Sequence, residues 1–430
     1  MMQLKRQSEG GFMRAAKHLA NGACAGILGV TVATALFAQA GHRGFHQIYN
    51  FGGPVAPSAL TGSGNTLYGT TQQGGSQGVG VVYAITLSAT GAEPRTYTTL
   101  YSFGSSPTDG AVPFGVTIGG FSGGLPVLYG TTYRGGSFNN GTVFSLVPPQ
   151  TPGGAWTEQI LHSFDGTDGG VPEATVVADM GTGELPVLYG TTLEGGASGN
   201  GAIFSLTPPT TPGGAWTENV LHSFGASGDE ASFPTKIVMG SGPGGPVLYG
   251  FTAVGGTNEN GVVYSLAEVD NTWTYSVIYN RPPSSVTSEP TDLTIGSNGV
   301  LYGTENPAFG SSGAGDVYSL TPPTSDGNSW TENTLYAFGA IPDDGSSPQS
   351  VLVGGNGHLY GVTADGGLVY GTVFALTPPA SSGGPWTEDV IYRFPFDGVT
   401  SAPVSLIMGP QGTLYGTTYY GDSTVFGLQP

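Results

Sequence analysis

The stretch "VLYGTTLEGGASGNGAIFSL" (187–206) decides the fold, because the chain keeps returning to it. A near copy, "VLYGTTYRGGSFNNGTVFSL", occupies 127–146, and weaker echoes run to "TLYGTTYYGDSTVFGL" at 413–428. Aligned on the Leu-Tyr-Gly step, seven copies place Tyr68, Tyr129, Tyr189, Tyr249, Tyr302, Tyr360 and Tyr415 at spacings of 61, 60, 60, 53, 58 and 55 residues. That period is too long for a solenoid coil of one or two helices, and no unit carries helical periodicity.

Each unit parses into four short strands separated by turn residues. In the unit beginning at Pro172 these are "PEATVVA", "VLYGTT", "GAIFSLTP" and "WTENVLHSF". Their connections, "GTGEL", "LEGGASGN" and "PTTPGGA", are rich in turn formers. Four antiparallel strands repeated radially make a propeller blade, so the expected fold is all-β, a seven-bladed β-propeller. The seventh unit stops after its third strand, at "TVFGLQP", while "FHQIYNFGG" (45–53) matches the fourth-strand phrases and precedes the first unit. Residues 45–51 are therefore expected to complete blade seven and close the ring, leaving no isolated edge.

The recurring residues have structural roles. Tyr of the Leu-Tyr-Gly step and the third-strand aromatics (Tyr83, Phe144, Phe204, Tyr264, Tyr318, Phe374, Phe426) are expected to fill the space between blades. Gly after the Tyr is expected to let neighbouring sheets approach. Trp156, Trp216, Trp273, Trp330 and Trp386 open the fourth strand, with Tyr97 taken as their substitute in the first unit. A Trp row can stack sugars, but recurrence at one outer-strand position favours packing.

Composition agrees with a compact β protein. The 430 residues include 76 Gly and 32 Pro, yet 38% are hydrophobic and 11% aromatic, enough to bury a core. The Gly and Pro punctuate turns. Lys5, Arg6, Arg14 and Lys17 precede the apolar run "AGILGVTVATALF" (25–37), and "AQA" (38–40) has the small residues that a signal peptidase reads. Residues 1–40 are expected to be a cleaved signal peptide and 41–430 a single propeller domain. Translation from Met13 would give a leader of more usual length, and a retained N-terminal anchor is the alternative. A 13-residue apolar run is short for a bilayer.

The only cysteine, Cys24, lies in that leader and lacks a lipoprotein context, so the mature chain has no thiol chemistry. Six basic and 28 acidic side chains remain, a net charge of −22, with Lys236 the sole lysine. Such a surface repels phosphate backbones and anionic lipid, which argues against nucleic-acid partners and against membrane insertion of the mature chain.

The phrase Leu-Tyr-Gly-Thr-Thr, then Gly-Gly, then Gly-Thr-Val-Phe-x-Leu resembles the Gloeo/Verruco ("GloVer") tandem repeat. The likeness is tightest at 127–146 and 187–206, and looser at 301–320, where "ENPAFGSSGAGD" replaces the Gly-Gly turn. The resemblance implies an exported bacterial repeat protein and supplies no catalytic residues. Members of that family often carry C-terminal anchors; "GLQP" follows a strand with no apolar tail, so free secretion is expected, extracellular or periplasmic.

The loops from fourth to first strand and from second to third strand should emerge on one face. They hold Asp109, Asp165, Asp168, Asp229, Glu230, Glu289, Asp343, Asp344 and Asp397, and Glu194, Glu259, Glu305, Asp365 and Asp422, with Arg134 the lone base. This acidic face is the candidate binding surface, the alternative being acids that are merely solvated. "FDGTDGG" (164–170) and "IPDDGSS" (341–347) cluster oxygen ligands beside Gly, but neither has the spacing of a known calcium loop. No cofactor is expected, calcium being the only candidate.

Catalytic signatures are sparse. His162 and His222 take fourth-strand places where other units have Tyr, and no nucleophile elbow, zinc-binding His pair or phosphate loop is present. Ala59, Gly115, Ala174, Lys236, Asp292, Ser350 and Ser405 are expected to line the channel, putting Lys236 beside Asp292 on the next blade, as an ion pair or a ligand site. The functional expectation is a secreted, monomeric, non-catalytic module binding a glycan or extracellular protein. The alternative is a polysaccharide hydrolase or lyase on the same scaffold.

Overall fold

The computed structural model describes residues 44–430 except 89–94, 182, 212, 226–230, 243, 271, 283–288, 307–312, 325–328, 342–343, 367–369, 382 and 396–399. Its sheets are seven, each of four antiparallel strands, and six of them follow chain order from first strand to fourth. Blade 1 runs Thr61–Ser63, Thr66–Thr71, Val81–Thr86 and Thr96–Ser102; blade 2 opens at Gly110, blade 3 at Val177, blade 4 at Ser232, blade 5 at Glu289 and blade 6 at Gly345. Blade 7 is composite: Thr400–Met408, Leu414–Gly421 and Thr424–Leu428 are joined at the outer edge by His46–Asn50. The closing strand pairs His46 with Gly427 and Asn50 with Thr424. The expected overhang thus closes the ring, and a seven-bladed β-propeller results.

The core is divided among the seams between blades. Each hydrophobic cluster is shared by two neighbours: Tyr68, Val82 and Ala84 of blade 1 meet Val116, Leu128 and Phe144 of blade 2. The ring-closing seam joins Ile48 and Val425 of blade 7 to Leu60, Leu67 and Tyr83 of blade 1. The Trp row also belongs to the seams. Trp156 sits 6.4 Å from Tyr68 of the preceding blade, Trp216 6.0 Å from Tyr129, Trp273 5.5 Å from Tyr189 and Trp330 5.8 Å from Tyr249.

Three local details differ from the sequence expectation. Gly190 is opposite Phe204 within its own sheet, and a Cβ there would lie 2.4 Å from the Phe204 ring. The glycine makes room for a cross-strand aromatic and not for a neighbouring sheet. Tyr97 pairs with Ile85 in the register where Glu158 pairs with Leu146, so it replaces the Glu of the Trp-Thr-Glu phrase and not the Trp. The first strand of blade 3 is only Val177–Asp179, and ahead of it Thr175 Oγ1 turns away to the carbonyl of Phe114 in blade 2 at 2.7 Å.

First strands surround the axis, and threonines, three of them on second strands, tie each to the blade before it. Thr417 Oγ1 donates to the carbonyl of Ser58, Thr70 Oγ1 to that of Pro113, Thr131 Oγ1 to that of Ala174 and Thr291 Oγ1 to that of Pro348, each bond crossing a seam. A bulge follows the first-strand Pro, seen as register shifts at Pro234/Lys236, Pro290/Asp292, Pro348/Ser350 and Pro403/Ser405. It turns the next residue inward, and Ile237, Leu293, Val351 and Leu406 are buried.

Candidate functional site

The two loop sets share one end of the ring. Gly170 bridges Glu194, and Gly136 N donates to the carbonyl of Asp109, so fourth-to-first loops lie against second-to-third loops. The acids on this end divide into two kinds.

Asp109 and Asp344 are buried pins. Asp109 Oδ2 accepts from the Tyr101 hydroxyl at 3.0 Å and from Ser105 N and Oγ at 2.7 and 2.9 Å, and Oδ1 accepts from Gly110 N at 2.7 Å. Asp344 accepts from the Tyr336 hydroxyl at 3.0 Å, Gly339 N at 3.0 Å and Gly345 N at 2.8 Å. Asp168 follows the same scheme, with His162 Nε2 at 2.8 Å and the amide of Asp165 at 3.0 Å. These carboxylates fasten loops to the outer strand. Asp165 Oδ1 accepts from Thr167 N and Oγ1 at 2.7 and 2.6 Å, and those bonds hold its carboxyl below the usual range.

The acids of 164–170 thus spend their oxygens on N–H and O–H donors. No group of three or more His, Cys, Asp or Glu among the described residues is arranged to hold a metal ion. Asp229, Glu230, Asp343 and Asp397 lie outside the described residues.

Lys236 Nζ donates to Asp292 Oδ1, which also accepts from Leu293 N at 2.9 Å, while Oδ2 accepts from Val351 N at 3.0 Å. Asp292 therefore joins blades 4, 5 and 6 and is buried; the Lys236 side chain is 41% exposed. Of the other expected channel positions, Ala59 is exposed, while Gly115, Ser350 and Ser405 are buried.

The remaining candidates lie at the loop end of the axis. Here the residue after the first-strand Pro runs Ser58, Phe114, Glu173, Thr235, Thr291, Gln349 and Val404 around the ring. The residue following the Leu-Tyr-Gly-Thr-Thr phrase runs Gln72, Tyr133, Leu193, Ala253, Asn306, Ala364 and Tyr419. Blades 4 to 6 contribute mostly small or amide side chains at these places. Blades 7, 2 and 3 contribute aromatic, acidic or aliphatic side chains instead, and blade 1 between them keeps the small Ser58 and the amide Gln72.

In blade 2, Tyr133 is 6.1 Å from Phe114, and the exposed Arg134 guanidinium lies 5.5 Å over the Tyr133 ring. In blade 3, Glu173 faces Glu194; burial first, and then the Glu194 charge, push the Glu173 carboxyl up to about 7. In blade 7, Tyr419 and Tyr420 make an edge contact at 5.1 Å, and Asp365 of blade 6 faces Tyr420. Gln72 and Gln73 of blade 1 complete the arc. Of the acidic-face candidates, Arg134, Glu194 and Asp365 belong to it. Phe114, Tyr133, Glu173, Tyr419 and Tyr420 were not anticipated; the available signal was that the copies disagree there.

A shallow cavity at the opposite end, between blades 7 and 1, is lined by Leu60, Leu67, Leu87, Ile407, Met408 and Pro410 and presents no ionisable side chain. No helix among the described residues is long and apolar enough to cross a membrane.

Among solved structures, similarity extends to a polysaccharide lyase, ulvan lyase bound to -[GlcA(1-4)Rha3S]-, at 12% identity over 88% of this chain and 95% of that one, with a TM-score of 0.53. An ancestral GH74 enzyme follows at 13% identity, 84% and 54% coverage and a TM-score of 0.47. A gluconolactonase from Xanthomonas campestris matches at 11% identity, 73% and 86% coverage and a TM-score of 0.41. At 12% identity the likeness to the lyase shows the fold alone. No curated protein matches the sequence. The profile of the Gloeobacter/Verrucomicrobia repeat matches residues 38–246 and again 243–430, nearly the whole propeller, and the chain belongs to that family.

Proposed function

We propose that this is an exported bacterial propeller, acting outside the cytoplasm as a monomer, that binds a glycan on the arc of blades 7, 1, 2 and 3 without turning it over. The observation that carries the reading is the asymmetry of the rim. Blade 7 brings Tyr419 and Tyr420, blade 2 Phe114, Tyr133 and Arg134, and blade 3 Glu173 and Glu194, with Gln72 and Gln73 of blade 1 between them, where the other three blades present small or amide side chains. Aromatic faces stack on sugar C–H surfaces, and amides, guanidinium and carboxylate bond sugar hydroxyls. A propeller neighbour described as bound to -[GlcA(1-4)Rha3S]- fits this class of ligand. The basic residues and apolar run before "AQA" support export.

A second reading, a polysaccharide hydrolase or lyase, is favoured by Glu173. Its carboxyl, pushed up to about 7 beside Glu194, is suited to proton transfer near neutrality. A glycan array, run beside a polysaccharide turnover screen with and without calcium, tests both. Binding that is lost in Tyr133→Ala and Tyr420→Ala, with no turnover, is the expected result. Turnover abolished by Glu173→Gln would move the assignment to the enzyme. An array with no binder, or binding indifferent to both tyrosines, would sink the arc as a site.

A further inference from the structure

The outermost contact of every seam is made by two equivalent positions: one near the end of a fourth strand, the other near the start of the next blade's fourth strand. Three seams fill them with parallel rings. Tyr49 lies 4.3 Å from Tyr97 at 7°, His222 4.1 Å from Tyr275 at 3°, and Phe45 4.0 Å from Tyr392 at 2°. The other four put a glutamate opposite the ring: Glu158 faces Tyr101, Glu218 the His162–Asp168 pair, Glu332 Tyr279, and Glu388 Tyr336.

Those glutamates occupy a place built for an uncharged group. Glu158 Oε1 and Glu218 Oε1 are buried and have no hydrogen-bond partner; Glu388 Oε1 is buried too, with the Tyr336 hydroxyl as the hydrogen-bonding group beside its carboxyl. Each faces a second carboxylate that is already pinned: Asp109 before Glu158, Asp168 with Asp165 before Glu218, Asp344 before Glu388. Around Glu388 stand also Arg393, Asp389 and the Tyr336 hydroxyl. The seam of Glu332 adds Glu305, Asp316 and Arg281, so a cation offsets part of the repulsion there. A naked carboxylate oxygen against another carboxylate is costly, whereas a neutral carboxyl substitutes for the ring found in the other seams.

We propose that the seams of Glu158, Glu218 and Glu388 are closed by protonated carboxyl groups, making the ring a pH-responsive assembly that is tight in mildly acidic surroundings and loosens as these three glutamates ionise. Burial first and the facing carboxylate second raise Glu158, Glu218 and Glu388 from 4.5 to about 7. A carboxyl whose folded value exceeds its unfolded one holds extra protons in the folded state between the two. The stability it contributes is full below about 4.5, falls as pH rises from there to about 7, and does not return above it.

The test is thermal unfolding from pH 4.5 to pH 8.5, on the intact protein and on the combined Glu158→Gln, Glu218→Gln, Glu388→Gln variant. The intact protein should lose several degrees of Tm between pH 5 and pH 7.5, and the variant should lose clearly less. A Tm that is flat or rises over that range, or an equal fall in the variant, overturns the proposal. Should the triple variant not fold, the same comparison is made on Glu218→Tyr, which copies the His222–Tyr275 stack into the preceding seam, opposite His162. Infrared spectra at pH 6 give an independent readout: the band of protonated side-chain carboxyls must be weaker in Glu218→Tyr or the triple variant than in the intact protein, and equal bands refute the idea.

Discussion

Arg281 of blade 4 grips Glu305 of blade 5, with Nε 3.0 Å from Oε1 and Nη2 2.8 Å from Oε2. Both residues are exceptions to the repeat, and they meet each other. Phe51, Phe103, Phe164, Phe224, Phe338 and Phe394 hold the place of Arg281 elsewhere, and Thr71, Thr132, Thr192, Thr252, Thr363 and Thr418 that of Glu305. Arg281 is only 1% exposed, and its Nη1 also donates to the carbonyl of Asn260 at 2.8 Å. A buried guanidinium needs a carboxylate, so one departure from the pattern entails the other.

Glu305→Thr alone should therefore destabilise the protein by about 3–5 kcal/mol, because it strips a buried charge of its bidentate partner. Arg281→Phe combined with Glu305→Thr restores the pairing of the other six seams and should recover most of that loss. Urea unfolding of the two single variants and the double closes the cycle. Additive losses would show that the two side chains do not depend on each other.

The acids of the loop end should separate by burial. Asp109→Ala and Asp344→Ala leave backbone amides and a tyrosine hydroxyl without their acceptor, costing about 1–3 kcal/mol each. Asp365→Ala, at an exposed position, should change stability by less than about 0.5 kcal/mol. Thermal melts at one pH distinguish these. An equal effect at all three positions would contradict the division into pins and exposed acids.

Gly190→Ala should lower stability by about 1–3 kcal/mol through overpacking, since the added methyl would meet the Phe204 ring at 2.4 Å. Adding Phe204→Leu to Gly190→Ala should relieve part of the strain, although Phe204→Leu alone is itself destabilising. Chemical denaturation of the two single variants and the pair checks for that coupling. If the double loss equals the sum of the single losses, the ring is not what the glycine accommodates.

Much of the architecture was legible in the sequence. The spacing of Tyr68 through Tyr415 counts the blades, and the unmatched phrase at 45–53 names the strand that completes the last one. Strand order, the seam role of Trp156 and its equivalents, and the pairing of Lys236 with Asp292 follow from the same alignment, because each depends on a residue's position within its own unit or on counting one unit forward. Tyr97 shows the limit: only its register opposite Ile85 reveals that it replaces a glutamate and not a tryptophan.

The division of the acids was decided in three dimensions. Asp109 and Asp365 look alike in sequence, each an acid in a Gly-rich loop, but Asp109 closes onto Tyr101 and Ser105 whereas Asp365 is exposed and faces a ring of the next blade. The arc of Phe114, Tyr133, Glu173, Tyr419 and Tyr420, and the seam carboxyls of Glu158, Glu218 and Glu388, likewise arise between blades. A repeat specifies strands through contacts inside one unit of about 60 residues, which is why the sequence by itself determined the propeller and its closure. Charge, burial and proximity at the rim and in the seams depend on which side chain a neighbouring unit brings alongside, and only closing the ring decides that.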